Sequence, residues 1–349
     1  MDITKIDRNF EVETKIERDG LTFYDVEDAP FTICGVQYID GKYRRLPEAV
    51  AKATSDGVHH LHTHTAGGRV RFVTDSPYIA ISAQMENLGK MAHFPFTASI
   101  GFDLYTGKHY LKTYVPPLNV TDGFEGIVDI PDPCEREYTI NFPLYSGVNR
   151  LYVGIKVGSV LKAAPAYDLD LPIVYYGSSI TQGGCASRPG NAYQSIIGRE
   201  LNCDHINLGF SGNAKGEEAI TDYIAGLDMA AFVYDYDHNA PNPDHLQATH
   251  EKMFRKIRAA HPDLPILMLT RPKYYLTSDE IKRLTIVRQT YEKALAAGDK
   301  NVYFIPGPDL LIDLVRETAL VDNCHPNDSG FVSMAYVIGE KLKEILKKR

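Results

Sequence analysis

Leu171-Pro-Ile-Val-Tyr-Tyr176 is an apolar run that stops abruptly at Gly177-Ser178-Ser179-Ile180-Thr181. A short run of this kind, closed by small turn-forming residues, reads as a strand buried on both faces. Four further runs repeat the pattern: His205-Ile-Asn-Leu208, Ala230-Ala-Phe-Val-Tyr234, Pro265-Ile-Leu-Met-Leu-Thr270 and Val302-Tyr-Phe-Ile305. Helical periodicity occupies the stretches 191–201, 216–226, 245–260, 278–297 and 330–348. Strands alternating with helices predict a five-stranded parallel sheet covered on both sides, with its functional residues at the carboxyl ends of the strands.

Upstream the period changes. Arg69-Val-Arg-Phe-Val-Thr74 alternates polar and apolar residues, and Tyr78–Ala83, Phe96–Phe102, Tyr110–Val115, Gly126–Ile130, Tyr138–Phe142 and Arg150–Ile155 continue the series. Turn residues separate these segments at intervals near those of an all-β sandwich or jelly roll. The first 50 residues read as an outlying strand and loop layer with one short helix near Leu46–Ala53. Since single cores rarely grow past about 250–300 residues, the 349-residue chain is expected to hold two domains, 1–165 and 166–349, joined through Ala163-Ala-Pro-Ala-Tyr-Asp-Leu-Asp-Leu-Pro172.

A formal net charge of −8 offers no basic field for nucleic acid or anionic lipid. No run of apolar residues is long enough to span a bilayer, so neither a membrane nor a nucleic acid is expected as a partner. The opening residues Met1–Phe10 carry charges where a secretory leader needs its apolar stretch. Five scattered cysteines without a CxxC pair read as reduced thiols, and the expected location is cytoplasmic. A homo-oligomer stays open.

Every chemically suggestive residue of the second half follows one of the apolar runs or lies in the last loop. Asp322, three residues ahead of His325, can reach the imidazole, fix its tautomer and leave the other ring nitrogen to take a proton from a serine. Ser179 is the candidate nucleophile, since an unactivated serine attacks poorly. Asn207-Leu-Gly-Phe-Ser-Gly212-Asn213 closes the second run, and Tyr234-Asp-Tyr-Asp-His-Asn239-Ala-Pro-Asn closes the third.

This ordered set of blocks over residues 171–349 resembles the SGNH (GDSL-type) hydrolases. The resemblance implies a flavodoxin-like catalytic domain with Ser179 as nucleophile and His325 as general base oriented by Asp322. It also implies an oxyanion hole made by the backbone N–H groups of Ser179 and Gly212 and the side-chain amide of Asn239. Two departures stand out. Ser178 replaces the aspartate of the usual Gly-Asp-Ser, and Asp237 replaces the glycine of the usual Gly-x-Asn-Asp. Relatives with an N-terminal β-domain are similar in layout, and many are carbohydrate acetylesterases. The expected reaction is therefore two-step acyl transfer to water, removing acetyl groups from sugars or oligosaccharides, without a metal or organic cofactor. The rivals are a lipid-directed esterase, lysophospholipase or thioesterase, and a carbohydrate-binding protein on a disabled hydrolase fold.

Arg188, Asp237 and His238 are candidates for substrate contacts because they sit in loops beside the blocks. Gly101-Phe-Asp-Leu-Tyr105 is a polar break in the strand region and a candidate to reach the site. His59, His60, His62 and His64 read as a polar strand face rather than a metal centre, and Cys324 as packing beneath the last loop.

Overall fold

The computed structural model describes residues 15–347. Residues 1–14, on which the leader reading rests, and the last residue of the stretch 330–348 lie outside the described residues.

The first half holds strands β1 (Leu21–Asp25), β2 (Thr32–Cys34), β3 (Gln37–Ile39), β4 (Lys42–Arg44), β5 (Arg69–Thr74), β6 (Tyr78–Glu86), β7 (Phe102–Thr106), β8 (His109–Tyr114), β9 (Gly123–Asp129), β10 (Arg136–Asn141), β11 (Gly147–Lys156) and β12 (Leu161–Lys162). Two antiparallel sheets, ordered β1-β11-β6-β9 and β12-β5-β10-β7-β8 with β2 beside β5, enclose one apolar core. Alternate residues supply it, Val70 and Phe72 from one sheet, Ile79 and Ile81 from the other. The expected sandwich is present.

Two expectations fail locally. The segment from Phe96 was expected as a strand, but Phe96–Ser99 is a helical turn and β7 starts only at Phe102. Pro95 has its φ already near −61°, and its carbonyl accepts from both Ala98 and Ser99. The histidine cluster was expected on a strand, but it lies on helix α2 (Asp56–Leu61) and the turn after it. Ser55 caps that helix by accepting from the Val58 N–H.

The second half is a parallel sheet of β13 (Ile173–Gly177), β14 (His205–Gly209), β15 (Ala231–Asp235), β16 (Ile266–Leu269) and β17 (Val302–Ile305), ordered β14-β13-β15-β16-β17. Every residue of β13 and β15 is buried, as strands covered on both faces require. Val174 and Tyr176 face the core shared with α6 (Glu218–Ala225), α7 (Pro243–Ala260) and α8 (Ser278–Ala296). Ile173 and Tyr175 face the opposite core, built with α5 (Tyr193–Leu201) and α9 (Asp328–Leu346).

The two halves are interlocked. Helices α1 (Glu48–Thr54) and α2 precede the sandwich strands β5–β12 in sequence, yet Ala51, Val58 and Leu61 pack into the same core as α6. Arg45 is buried, donates to the carbonyls of Leu61 and Gly209, and lies over the Phe210 ring. Among the described residues no helix is long and apolar enough to cross a membrane.

Candidate active site

β13 delivers Ser179 through a turn that only these small residues permit. A Cβ on Gly177 would lie 1.9 Å from Asp235 Oδ1 on the neighbouring strand. Ser178 then caps the one-turn helix α4 (Ser179–Gln182), its Oγ accepting from the Ile180 N–H at 3.1 Å. Serine in place of aspartate at 178 thus still provides the cap acceptor. Ser179 is buried, with 6% of its surface exposed.

The loop before α9 brings up the partner. Asn323 adopts φ +61°, turning the chain tightly enough for Asp322 to reach back. Asp322 Oδ1 accepts from the backbone N–H groups of Cys324 (3.1 Å) and His325 (2.8 Å), while Oδ2 lies 2.8 Å from His325 Nδ1. His325 Nε2 lies 2.8 Å from Ser179 Oγ. Asn327 caps α9 by accepting from Ser329 and Gly330, which fixes the loop's far end. Residues separated by 146 positions therefore form one hydrogen-bonded relay.

The electrostatics favour a charged imidazole. The Cys324 side chain is the main cause raising His325, burial opposes it, Asp322 adds to it, and the result is about 9. Burial works against the Asp322 charge, but its bonds to His325 outweigh that and hold it below the ordinary carboxylate range. Cys324 is likewise held low: burial opposes its ionisation, but His325 and Arg271 prevail. The Cys324 sulfur, expected to pack beneath the loop, lies within 4.8 Å of ring and carboxylate atoms of His325 and Asp322. Beneath the turn, burial pushes fully enclosed Asp235 up to about 8 despite the bond it accepts from Thr181 Oγ1 at 2.6 Å.

The second and third blocks meet beside this relay. Phe210 N–H donates to the Gly177 carbonyl at 2.8 Å, and Ser211 N–H donates to Gln182 Oε1 at 3.0 Å. Gly212 takes φ +68°, a left-handed conformation that explains glycine there, with open space where a side chain would project. Asn239 Nδ2 donates to the Phe210 carbonyl at 3.1 Å. One amide hydrogen is used there, and an amide nitrogen carries a second.

The three expected substrate contacts have other work. Arg188 lies over the Tyr110 ring at 3.9 Å, donates to the Tyr105 hydroxyl and sits 3.7 Å from Asp103, so it joins its loop to the sandwich. Asp237 is buried, accepting from the Arg271 N–H and pairing with His238 Nδ1 at 3.1 Å. Both side chains hold their own turn, the His238 side chain being only 7% exposed. Asp103, from the polar break in β7, is fully buried and accepts from Gly190 N–H and Asn141, each at 2.8 Å. It anchors the loop that follows α4.

Several residues of the first half reach the site without any local sequence signal. The Tyr145 hydroxyl donates to the Ser179 carbonyl at 3.1 Å. His64 contacts Tyr145 and lies 3.2 Å from Gln182 Nε2, and burial lowers its pKa to about 3. The exposed His93 ring stands 5.9 Å from that of His325.

The family of GDSL-like lipases and acylhydrolases matches residues 170–343, and the N-terminal domain of SGNH-hydrolase-type esterases matches residues 21–161. A search of curated proteins finds no match. Among solved structures, a protein from Bacteroides ovatus described as a GDSL-like lipase is 28% identical, covering 94% of this chain and 98% of its own, with a TM-score of 0.83. A salicylyl acyltransferase from a tetracycline biosynthetic pathway is 19% identical over 94% and 98% of the two chains, with a TM-score of 0.76. A family two carbohydrate esterase from Clostridium thermocellum, in complex with cellohexaose, is 14% identical over 91% and 99%, with a TM-score of 0.62. The last two share the fold. With both halves matched in order and the serine and histidine blocks in contact, the chain belongs to the GDSL-like lipase/acylhydrolase family of SGNH esterases.

Proposed function

We propose that the protein is a serine esterase that removes acetyl groups from carbohydrates by way of an acyl-enzyme. The observation carrying this reading is the continuous relay from Ser179 Oγ through His325 to Asp322, with both side-chain contacts at 2.8 Å. In the first step Ser179 attacks the ester carbonyl while His325 Nε2 takes its proton. Negative charge builds on the carbonyl oxygen, where the Ser179 and Gly212 N–H groups and the second Asn239 amide hydrogen serve as donors. His325 then returns the proton to the departing sugar hydroxyl, and the acyl-serine forms. A water, deprotonated by the same ring, releases acetate and restores the serine.

The preference for acetylated sugars is supported by the shared architecture with the cellohexaose-bound carbohydrate esterase, which spans both halves of this chain. Acetate release from a panel of acetylated oligosaccharides, with a nitrophenyl ester series from acetyl to octanoyl, tests it. A sharp preference for acetyl agrees with the proposal, whereas activity rising toward octanoyl replaces it with a lipid-directed esterase. Ser179→Ala should lower kcat by roughly 10³-fold or more, and near-native turnover in that variant removes the serine mechanism.

A further inference from the structure

One set of ligating atoms joins the relay's imidazole to two side chains that the proposed ester hydrolysis does not use. His93, Cys185 and His325 each contribute a ligand atom, and the three atoms lie within 4.8 Å of one another. They arrive from three separate segments: the link between β6 and the Phe96 turn, the loop after α4, and the loop before α9. The Cys185 N–H donates to the Pro326 carbonyl at 2.9 Å, which ties the thiol-bearing backbone to that of the imidazole. Cys185 is 5% exposed and His93 lies at the exposed rim, so the cluster has a buried sulfur and an open mouth.

We propose that His93, Cys185 and His325 form an inhibitory binding site for zinc, with a fourth position left to water. The donor set decides the class of ion. One thiolate and two imidazoles suit zinc and other thiophilic ions, while magnesium, calcium and manganese prefer oxygen. Tetrahedral zinc holds its ligand atoms roughly 3.5 Å apart, so the cluster closes by a side-chain adjustment rather than a rearrangement. On binding, the Cys185 thiol proton leaves to solvent and the sulfur becomes the third protein ligand.

Inhibition follows from what His325 already does, and so rests on the proposed ester hydrolysis. Its Nε2 meets Ser179 and its Nδ1 meets Asp322. A metal on either nitrogen breaks the relay. His93, by contrast, touches neither Ser179 nor Asp322 through any hydrogen bond among the described residues.

The test uses the full-length protein, stripped with chelator and titrated with zinc or cobalt(II) chloride. Cobalt should bind at one ion per chain with a near-ultraviolet thiolate charge-transfer band, absent in Cys185→Ser and retained in Cys324→Ser. In the nitrophenyl acetate assay zinc should inhibit, EDTA should restore activity, and magnesium should do nothing. His93→Ala should keep metal-free activity yet need at least about 100-fold more zinc, since loss of an outer-shell partner alone costs about 10–100-fold in affinity. The site is overturned by a wild-type protein without the band, by a band that follows Cys324, or by unchanged zinc sensitivity in His93→Ala. The cobalt band is read without any ester, so failure of the metal site and failure of the esterase reading are separate results.

Discussion

The Tyr145 hydroxyl donates to the backbone carbonyl of Ser179, so a residue of the sandwich half holds the peptide that carries the candidate nucleophile. Gly183 and Gly184 N–H groups share that carbonyl, each at 3.0 Å. Tyr145→Phe removes one of three donors and little volume. A single hydrogen bond contributes about 0.5–1.5 kcal/mol, so kcat should fall about 3- to 10-fold with KM and far-ultraviolet dichroism unchanged. A loss as large as that of Ser179→Ala would mean the tyrosine does more than position the turn.

Asp322→Asn separates holding from tuning. Asparagine Oδ1 can still accept from the Cys324 and His325 backbone N–H groups, so the loop stays folded. The amide nitrogen, however, would face His325 Nδ1 with a donor, forcing the ring into the wrong tautomer. Steady-state hydrolysis should drop by roughly 10⁴-fold with an unchanged melting temperature.

Because the Cys324 side chain and Asp322 hold His325 up to about 9, the ring stays protonated well into the alkaline range. Only the neutral ring can take the serine proton, so kcat/KM should climb as pH rises through that value. Cys324→Ala removes the side chain that raises the ring most, and the acid limb of the profile should move to lower pH. A profile identical in both proteins would show that the sulfur does not act on the ring.

Asp235 gives a stability prediction with the opposite carboxylate sign to the usual one. Its folded-state pKa of about 8 lies above the unfolded value of about 3.9. The folded form therefore binds the proton more tightly. Stability from this group is complete below about pH 4 and declines as pH rises through 8. Asp235→Asn keeps the acceptor for Thr181 and cannot ionise. Its melting temperature should fall less than that of the native protein between pH 5 and pH 8, and parallel curves would contradict the assignment.

The alternation of strands and helices and the aspartate–histidine pair were legible because both are written locally. Apolar runs close on glycine at 177 and 209 and on aspartate at 235, and Asp322 sits three residues ahead of His325. What the sequence hid depends on distant partners. Tyr145 and Gln182 lie outside every recognisable block, and only the meeting of the two halves gives them their partners. Phe96, Ala98, Ile100 and Phe102 alternate as a strand would, yet the preceding proline, its carbonyl accepting from Ala98 and Ser99, starts one helical turn. Arg188 and Asp237 have protein partners that local sequence does not announce, for a related reason. A charged residue near a site is as readily consumed by a buried counterpart as presented to a ligand.

The threading of α1 and α2 onto the α/β body has a practical consequence for dissecting the protein. A clone starting near residue 166 would lose the helices bearing Ala51, Val58 and Leu61 and uncover the faces of Ile220 and Leu208 that they share. It would also lose the Arg45 plug over Phe210. Swapping sandwich modules between relatives therefore has to keep β1 and β2 with β5–β12, to which they are paired, while residues 45–61 stay with the recipient.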